Sequence, residues 1–150
     1  MMGTPFEDIY KIFISQITDQ TIFNILQEKN GKELLENNFM RWLISSLGYF
    51  SNCRQDLYDL DEELEQFNIT LTMAEKQIVA KCMVLSYLSP QIIDQQLMKQ
   101  QFGSKDYRQH STNQGLLKAL LEVEEGVKKD LQISMKTYSW NLQHVKKVLK

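Results

Sequence analysis

Apolar residues recur at spacings of three and four along most of the chain, which is the period of a helix that buries one face. The first such stripe consists of Phe6, Ile9, Tyr10, Phe13, Ile14 and Ile17. Thr4 and Glu7 have the spacing of a capping box, and Pro5 suits the first position of a helix. The pattern therefore predicts a helix that begins next to Thr4.

Two more helices are predicted before residue 52. A short one follows Asp19, its candidate cap, and ends near Gly31, a residue type that commonly closes helices. The next runs from Lys32 to about Ser51. Its apolar positions, which are rich in aromatic area, are Leu35, Phe39, Trp42, Leu43, Leu47 and Phe50. We expect this third helix to form one wall of the core.

The connector that follows is acidic. Its carboxylates are Asp56, Asp59, Asp61, Glu62, Glu63 and Glu65. They lack the spacing and the glycine of a calcium-binding loop, so a solvated acidic surface is favoured over a metal site. Residues 67–71 alternate apolar and polar types, but five residues do not build a sheet alone, and an extended loop is predicted there.

The second half of the chain is predicted to be helical. Thr72 and Glu75 form a second capping box ahead of a strongly apolar helix that ends at Leu88. Ser89 can cap, and Pro90 suits the first helical position, so a separate helix is predicted to start there.

Apolar positions then keep a helical period from Leu116 to Leu149, so the last helix is predicted to be long. A break into a β-like run over 131–135 is the alternative. The whole pattern predicts an all-α protein, a compact helical bundle with a long C-terminal helix and an extended C-terminal arm. We divide it into a helical domain, residues 1–135, and a C-terminal extension, residues 136–150.

The stretch QQFGSKDYRQHST, residues 100–112, precedes the last helix. Its Gly-Ser-Lys lacks the order of a phosphate-binding Walker loop, and no strand precedes it. His110 with Asp106 and Ser111 does not indicate a catalytic triad, because neighbouring loop residues rarely reach the required geometry. Gly103 can instead end one helix while Ser111 or its neighbour caps the next, so we predict a hinge.

The composition is that of a soluble globular protein. The 150 residues suit one domain, and a formal net charge of −2 gives no general attraction to nucleic acid. Cys53 and Cys82 lack the spacing of a zinc site and are expected to be free thiols, and His144 has no metal-binding partner nearby in sequence. The sequence indicates no secretory signal and no membrane span, and we expect no metal and no cofactor.

The order of these segments resembles the head-to-tail connector, or neck, proteins of tailed bacteriophages. The likeness covers most of the chain. It begins with TPFEDIYKIF in the first helix, followed by a helix with leucine and phenylalanine ahead of Cys53 and an Asp-Leu pair. It continues with LTMAE before an apolar helix that ends in YLSP, and with GSKDY before a long charged helix.

This resemblance implies a non-enzymatic structural subunit of an adaptor ring, commonly of twelve copies, in the neck of the virion. Such a ring docks on the portal protein and joins it to the next neck or tail protein. Double-stranded DNA passes through its lumen during ejection without sequence-specific binding. The protein would be made in the host cytoplasm and would contact no membrane.

The resemblance also assigns roles to parts of the chain. Residues 1–135 would be the connector domain, and residues 136–150 would be the docking extension. The candidates for contact with the portal or a neighbouring subunit are Tyr138, Trp140, Leu142, Lys146 and Lys147. Tyr138 is equally suited to the chain's own core. Tyr107 and Arg108, at the tip of the predicted hinge, are candidates for contact between subunits.

The acidic residues of 56–65 are candidates for the wall of the lumen, where phosphates must slide and not adhere. They are also candidates for an interface, because the lysine-rich C-terminal end has the opposite charge and could face them on a neighbouring copy in a head-to-tail ring.

Two other functional classes stay open. One is a stand-alone small helical protein-interaction or regulatory protein, which would be a monomer or a dimer. The other is a small enzyme with its site in residues 100–112, which would lose activity on replacement of Asp106 or His110.

Overall fold

The computed structural model describes residues 3–18, 39–109 and 111–148, and at positions 18, 98, 100–109, 111–114, 116 and 141–148 it describes the backbone alone. In chain order the elements are β1 (Thr4–Pro5), α1 (Phe6–Thr18), α2 (Phe39–Ser46), a 3₁₀ helix (Leu47–Tyr49), β2 (Leu60–Asp61), β3 (Gln66–Phe67), α3 (Met73–Gln109) and α4 (Ser111–Val148). The prediction of an all-α protein with a long C-terminal helix is confirmed. The short helix predicted between Asp19 and Gly31, and residues 32–38 of the third, lie outside the described residues.

The core is centred on the first half of α3. Helices α1, α2 and α4 all pack against α3. Phe13 is fully buried, and its ring centroid lies 5.6 Å from that of Phe39, 6.2 Å from that of Trp42 and 5.9 Å from that of Tyr87. The aromatic residues of three helices therefore pack together. This arrangement agrees with the predicted apolar face of α1 and with the aromatic helix predicted to form one wall of the core.

Helices α3 and α4 form an antiparallel hairpin. The Lys81 ammonium donates a hydrogen bond to the Ser134 hydroxyl over 2.8 Å, and the Tyr138 hydroxyl donates one to the Glu75 carboxylate over 2.8 Å. Residues later in α3 thus contact residues earlier in α4, as in an antiparallel pair. The alternative of a β-like run at 131–135 is wrong, because these residues belong to α4.

The break predicted at Pro90 is also wrong, because α3 continues from Met73 to Gln109 with Pro90 inside it. A proline inside a helix costs about 3 kcal/mol, since it removes one backbone hydrogen bond and crowds the preceding turn. Tertiary packing outweighs this cost. The helix is buried on both sides of the proline, by Leu88 before it and Ile92 after it.

The hinge predicted over residues 100–112 is also reduced, because α3 extends through most of it. Gly103 does not end a helix, and α3 runs on to Gln109, one residue short of His110. An internal glycine costs only about 1 kcal/mol relative to alanine, which a long packed helix tolerates. Only position 110, outside the described residues, separates α3 from α4, so most of residues 100–112, the candidate location of an enzyme site, is helical.

The start of the chain also differs from the prediction. Thr4 and Pro5 form strand β1, which pairs antiparallel with β3, while β2 pairs with the other edge of β3. The Thr4 hydroxyl donates to the Ile69 carbonyl over 3.1 Å and accepts from the Leu71 N–H over 2.9 Å, so it does not cap α1. The capping box predicted at Thr4 is therefore wrong.

Residues 67–71 are predicted to be an extended loop, but Phe67 lies in β3, the central strand of this small sheet. Phe67 is fully buried and its ring packs edge-on against that of Phe6, with centroids 5.1 Å apart. Gly3 is required beside it, because a Cβ atom there would lie 2.5 Å from the Phe67 carbonyl oxygen. The sheet fastens the beginning of α1 to the acidic connector.

Candidate functional site

A buried carboxylate organises the open end of the α3–α4 hairpin. Glu75 is 3% exposed, and its Oε1 atom accepts hydrogen bonds of 2.8 Å from the Thr72 N–H and from the Gln55 amide. Its Oε2 atom accepts from the Tyr138 hydroxyl over 2.8 Å and from the Cys53 thiol over 3.6 Å. We call these five residues the Glu75 network.

The network begins with a local motif. The Glu75 N–H donates to the Thr72 hydroxyl over 3.2 Å, which completes the reciprocal pair of bonds and confirms the second predicted capping box. The carboxylate also accepts hydrogen bonds from three residues farther away in sequence, Gln55, Cys53 and Tyr138. Tyr138 also accepts a hydrogen bond of 3.2 Å from the Arg54 N–H and packs edge-on against Phe50.

The proton positions in the network follow from its surroundings. Burial alone would raise the pKa of Glu75, but hydrogen bonds from Thr72, Tyr138 and Gln55 more than compensate and lower it. Burial raises the pKa of Tyr138 to about 12, and the Glu75 carboxylate contributes to the same shift. Near neutral pH, Glu75 is therefore ionised and Tyr138 keeps its proton.

The same arrangement gives Cys53 little reactivity. Burial raises the pKa of its thiol, and the carboxylate of Glu75 adds to this effect. A nucleophilic cysteine needs a lowered pKa, because the thiolate is the reactive form. Cys82 is fully buried in α3 with its pKa raised to about 12, and both thiols are free. The network is suited to holding three chain segments together and not to nucleophilic chemistry.

A pH titration tests this assignment of Glu75. A carboxyl whose folded pKa is depressed stabilises the fold fully above its ordinary pKa of about 4.5, and this contribution is lost as the pH falls below that value. We expect the difference in free energy of unfolding between wild type and Glu75→Gln to be constant above about pH 5 and to shrink on acidification. Denaturant unfolding at a series of pH values measures it, and a difference that grows toward low pH would contradict the assignment.

A groove lies next to the network, between the beginning of α3 and the second half of α4. It encloses about 220 Å³, and its lining includes Ala74, Ile78 and Lys81 of α3 and Ile133, Thr137 and Tyr138 of α4. Ile133 is 63% exposed although it is a large apolar residue. We call this feature the α3–α4 groove.

The acidic connector folds into a hairpin whose turn we call the acidic tip, residues 61–65. The Asp61 carboxylate accepts hydrogen bonds from the Glu63 N–H over 2.9 Å and from the Leu64 N–H over 3.1 Å, which fixes the shape of the turn. Glu65 has a left-handed backbone with φ of 51°, and its carbonyl accepts from the Phe6 N–H over 2.9 Å. Leu64, at the tip, is 66% exposed.

Of the six predicted acidic residues, Asp61, Glu62, Glu63 and Glu65 lie in the β2–β3 hairpin, and Asp56 and Asp59 lie in the loop before it. The side chains of Asp56, Asp59, Glu62, Glu63 and Glu65 are exposed, and Asp61 is half-buried. Asp56 accepts from the Tyr58 N–H and Asp59 from the Asn68 amide. Within the described residues, no group of three or more His, Cys, Asp or Glu side chains is arranged to hold a metal ion.

The predicted docking residues do not form one surface. Tyr138 is 8% exposed and belongs to the chain's own core, whereas Trp140, half a turn further along α4, is 67% exposed. The backbone at Leu142, Lys146 and Lys147 continues α4, and their side chains lie outside the described residues. Tyr107 and Arg108 lie in the last turns of α3, and their side chains are also outside that part. The proposed division at 135/136 falls inside α4.

Sequence reasoning identified Glu75 as a cap but not as the centre of a network. Gln55, Cys53 and Tyr138 are 20, 22 and 63 positions away from it, and no spacing rule relates such residues. The capping box itself was a signal in the sequence. The carboxylate of its glutamate can accept more hydrogen bonds than the one that the capping box uses.

Comparisons with known proteins add no assignment: no protein-family model matches the chain, and no curated protein or solved structure matches it either. Over the ranges that the structure describes, none of the helices combines the length and the hydropathy that crossing a membrane requires.

Proposed function

We propose that the protein is a structural subunit of a bacteriophage head–tail connector ring. It docks on the portal protein, joins it to the next neck or tail component and surrounds part of the DNA channel, and it is not an enzyme. The observation that carries this proposal is the course of α4. The helix is anchored in the core at Tyr138, exposes Trp140 two residues later and continues to Val148.

The end of α4 has the properties of a docking element. Ten residues of helix follow Tyr138, which is about 15 Å at 1.5 Å per residue. Tryptophan is enriched in the energetically dominant centres of protein interfaces, and a side chain left 67% exposed can bury much additional area on binding. A rigid helix also loses less entropy on docking than a disordered arm.

The acidic connector supports the part of the proposal that concerns the DNA channel. Glu62 and Glu63 are exposed in the turn of the hairpin, Asp59 is exposed just before it, and the chain as a whole carries a formal net charge of −2. Phosphates bind to basic surfaces and release counterions, so a conduit for DNA benefits from a surface that does not attract them.

If the end of α4 docks on the portal, a truncation should exist that abolishes portal binding without affecting the stability of the fold. Removal of residues 141–150 leaves Tyr138 and the Glu75 network in place, so we expect an unchanged melting temperature but loss of binding to the portal protein encoded with it. Removal from residue 136 onward would instead also delete Tyr138 and destabilise the fold. Co-sedimentation of each truncated protein with assembled portal measures binding.

Trp140→Ala tests the same surface with one side chain. We expect binding to weaken by about 2 kcal/mol, roughly thirtyfold. Ile93→Ala is the matched control, because Ile93 is also a large exposed apolar residue of a long helix. If the 141–150 deletion and Trp140→Ala both bind the portal like wild type, the docking role of α4 is wrong, and a monomer without portal affinity would favour a stand-alone helical protein.

A further inference from the structure

The α3–α4 groove has an apolar floor with a positive charge beside it. Ala74, Ile78 and Ile133 supply apolar surface, and the Lys81 ammonium is held at the groove by its bond to Ser134. Lys136, three residues after Ile133 on α4, is exposed. Among the described residues, neither Lys81 nor Lys136 takes part in any of the ion pairs. The groove therefore suits a ligand with one apolar side chain flanked by carboxylates.

The acidic tip of the same chain has that chemistry. Leu64 is its one apolar side chain, and it lies between Glu63 and Glu65, with Glu62 preceding them. None of these carboxylates forms an ion pair within the described part of the chain. The turn is fixed by the Asp61 carboxylate, so its shape exists before any contact and its ordering costs little.

The tip does not occupy the groove of its own chain. Leu64 is 66% exposed and Ile133 is 63% exposed, so each apolar surface is open to water. Within the described residues, no hydrogen bond or ion pair joins residues 61–65 to the lining of the groove. The two surfaces are available to different copies.

We propose that the acidic tip of one copy docks in the α3–α4 groove of a second copy, with Leu64 against Ile133 and Ile78 and the tip carboxylates facing Lys81 and Lys136. The two surfaces are different, so the contact is heterologous and each copy keeps one free surface of each kind. Repetition of the contact builds a ring or a filament. This inference rests on the proposed function, for which it supplies the contact between subunits.

Position-specific cross-linking tests the contact directly. Leu64→Cys protein and isotopically labelled Ile133→Cys protein are mixed at high concentration and treated with a short bismaleimide. Both positions are exposed, so both variants are expected to fold like wild type. We expect a labelled–unlabelled dimer whose linked peptides join positions 64 and 133. Wild-type protein, which retains the half-buried Cys53 and the buried Cys82, gives the background.

Ile93→Cys in place of Ile133→Cys is the matched control. Ile93 is 51% exposed and apolar, but it lies twelve residues beyond Lys81 on α3, about 18 Å along the helix. Lys81→Gln, combined with Ile133→Cys, keeps a hydrogen-bond donor for Ser134 and removes the charge. We expect it to lower the yield of the 64–133 product roughly two- to fivefold, as loss of a partly exposed charge pair does.

Two results would overturn the proposal. One is a 64–133 product no more abundant than the 64–93 product. The other is preferential cross-linking of position 64 to a cysteine introduced at Lys146, which would assign the acidic tip to the lysine-rich end of the neighbour. A ring seen on the portal without the 64–133 product refutes this contact alone, and the product without portal binding refutes the connector function alone.

Discussion

Glu75→Ala is expected to reduce the free energy of unfolding by roughly 3 kcal/mol, the largest effect of any polar substitution in the described core. The substitution removes the acceptor for Thr72, Gln55, Cys53 and Tyr138 at once. Each buried donor left without a partner costs about 1–3 kcal/mol, and water entering from the adjacent groove recovers part of this cost. For a domain of this size the melting temperature should fall by about 10 °C.

Glu63→Ala is the matched control for this variant, because Glu63 is also a glutamate but is exposed on the acidic tip. Its effect should stay within about 0.5 kcal/mol. Tyr138→Phe removes one donor of the network, and the double variant with Glu75→Ala should be less destabilised than the sum of the two single effects, since they share one hydrogen bond. Additive effects, or an unchanged stability of Glu75→Ala, would show that the network is not a stabilising unit.

Phe13→Ala is expected to destabilise the protein by roughly 3–5 kcal/mol, more than the loss of Glu75. Phe13 is fully buried where α1, α2 and α3 meet, and its ring makes edge contacts with Phe39 and Tyr87. Removal of the ring leaves a cavity that three helices cannot close without moving, and it also removes the aromatic pairing. Since domains of this kind have 5–15 kcal/mol of stability, the variant should be only marginally folded at 37 °C.

Ile14→Ala provides the comparison at the neighbouring position of α1. Ile14 is 39% exposed, so its truncation removes less buried area and leaves no enclosed cavity. Urea unfolding of the two variants gives the difference directly. Equal destabilisation at positions 13 and 14 would contradict the burial pattern and the orientation of α1.

Short-range patterns predicted the parts of this fold whose determinants are local. The stripe in α1 is an example, because Phe6, Ile9, Phe13 and Ile17 are all buried, as a period of 3.6 residues requires. The capping box at Thr72 is another, since its two bonds join residues three positions apart. In these cases the physical cause lies within one or two turns of the chain.

The local predictions are wrong where interactions with residues far away in sequence, or the continuation of a long helix, override a local preference. Thr4 stands in the same T-x-x-E pattern as Thr72, yet its hydroxyl bonds to Ile69 and Leu71, more than sixty residues away. Pro90 and Gly103 are helix breakers by local preference, but α3 continues through both, and at Pro90 the packing of Leu88 and Ile92 outweighs the cost. Neither outcome is encoded in a short window of sequence.

The candidate sites show the same division. The acidic connector was predicted as an interaction surface from its charge, and Trp140 from its residue type together with the resemblance to phage neck proteins. The α3–α4 groove and the Glu75 network were not predicted, because the groove exists only once α3 and α4 are antiparallel and the network only once the loop after α2 also contacts both helices. The resemblance to phage neck proteins supplied a functional hypothesis, and the geometry of α4 and of the acidic tip now supplies experiments for it.

The Glu75 network also has a consequence for how the chain folds. Its members come from the loop at 53–55, from the first turn of α3 and from the last third of α4, and Glu75 and Tyr138 are 63 positions apart. The contacts near the turn between α3 and α4 join residues close in sequence and cost little loop-closure entropy, whereas the network closes the largest loop of the hairpin. Its bonds can all form only when the loop, α3 and α4 have reached their final positions. The network therefore makes folding of the open end of the hairpin depend on completion of the rest, and this cooperativity disfavours chains in which only part of the hairpin has folded.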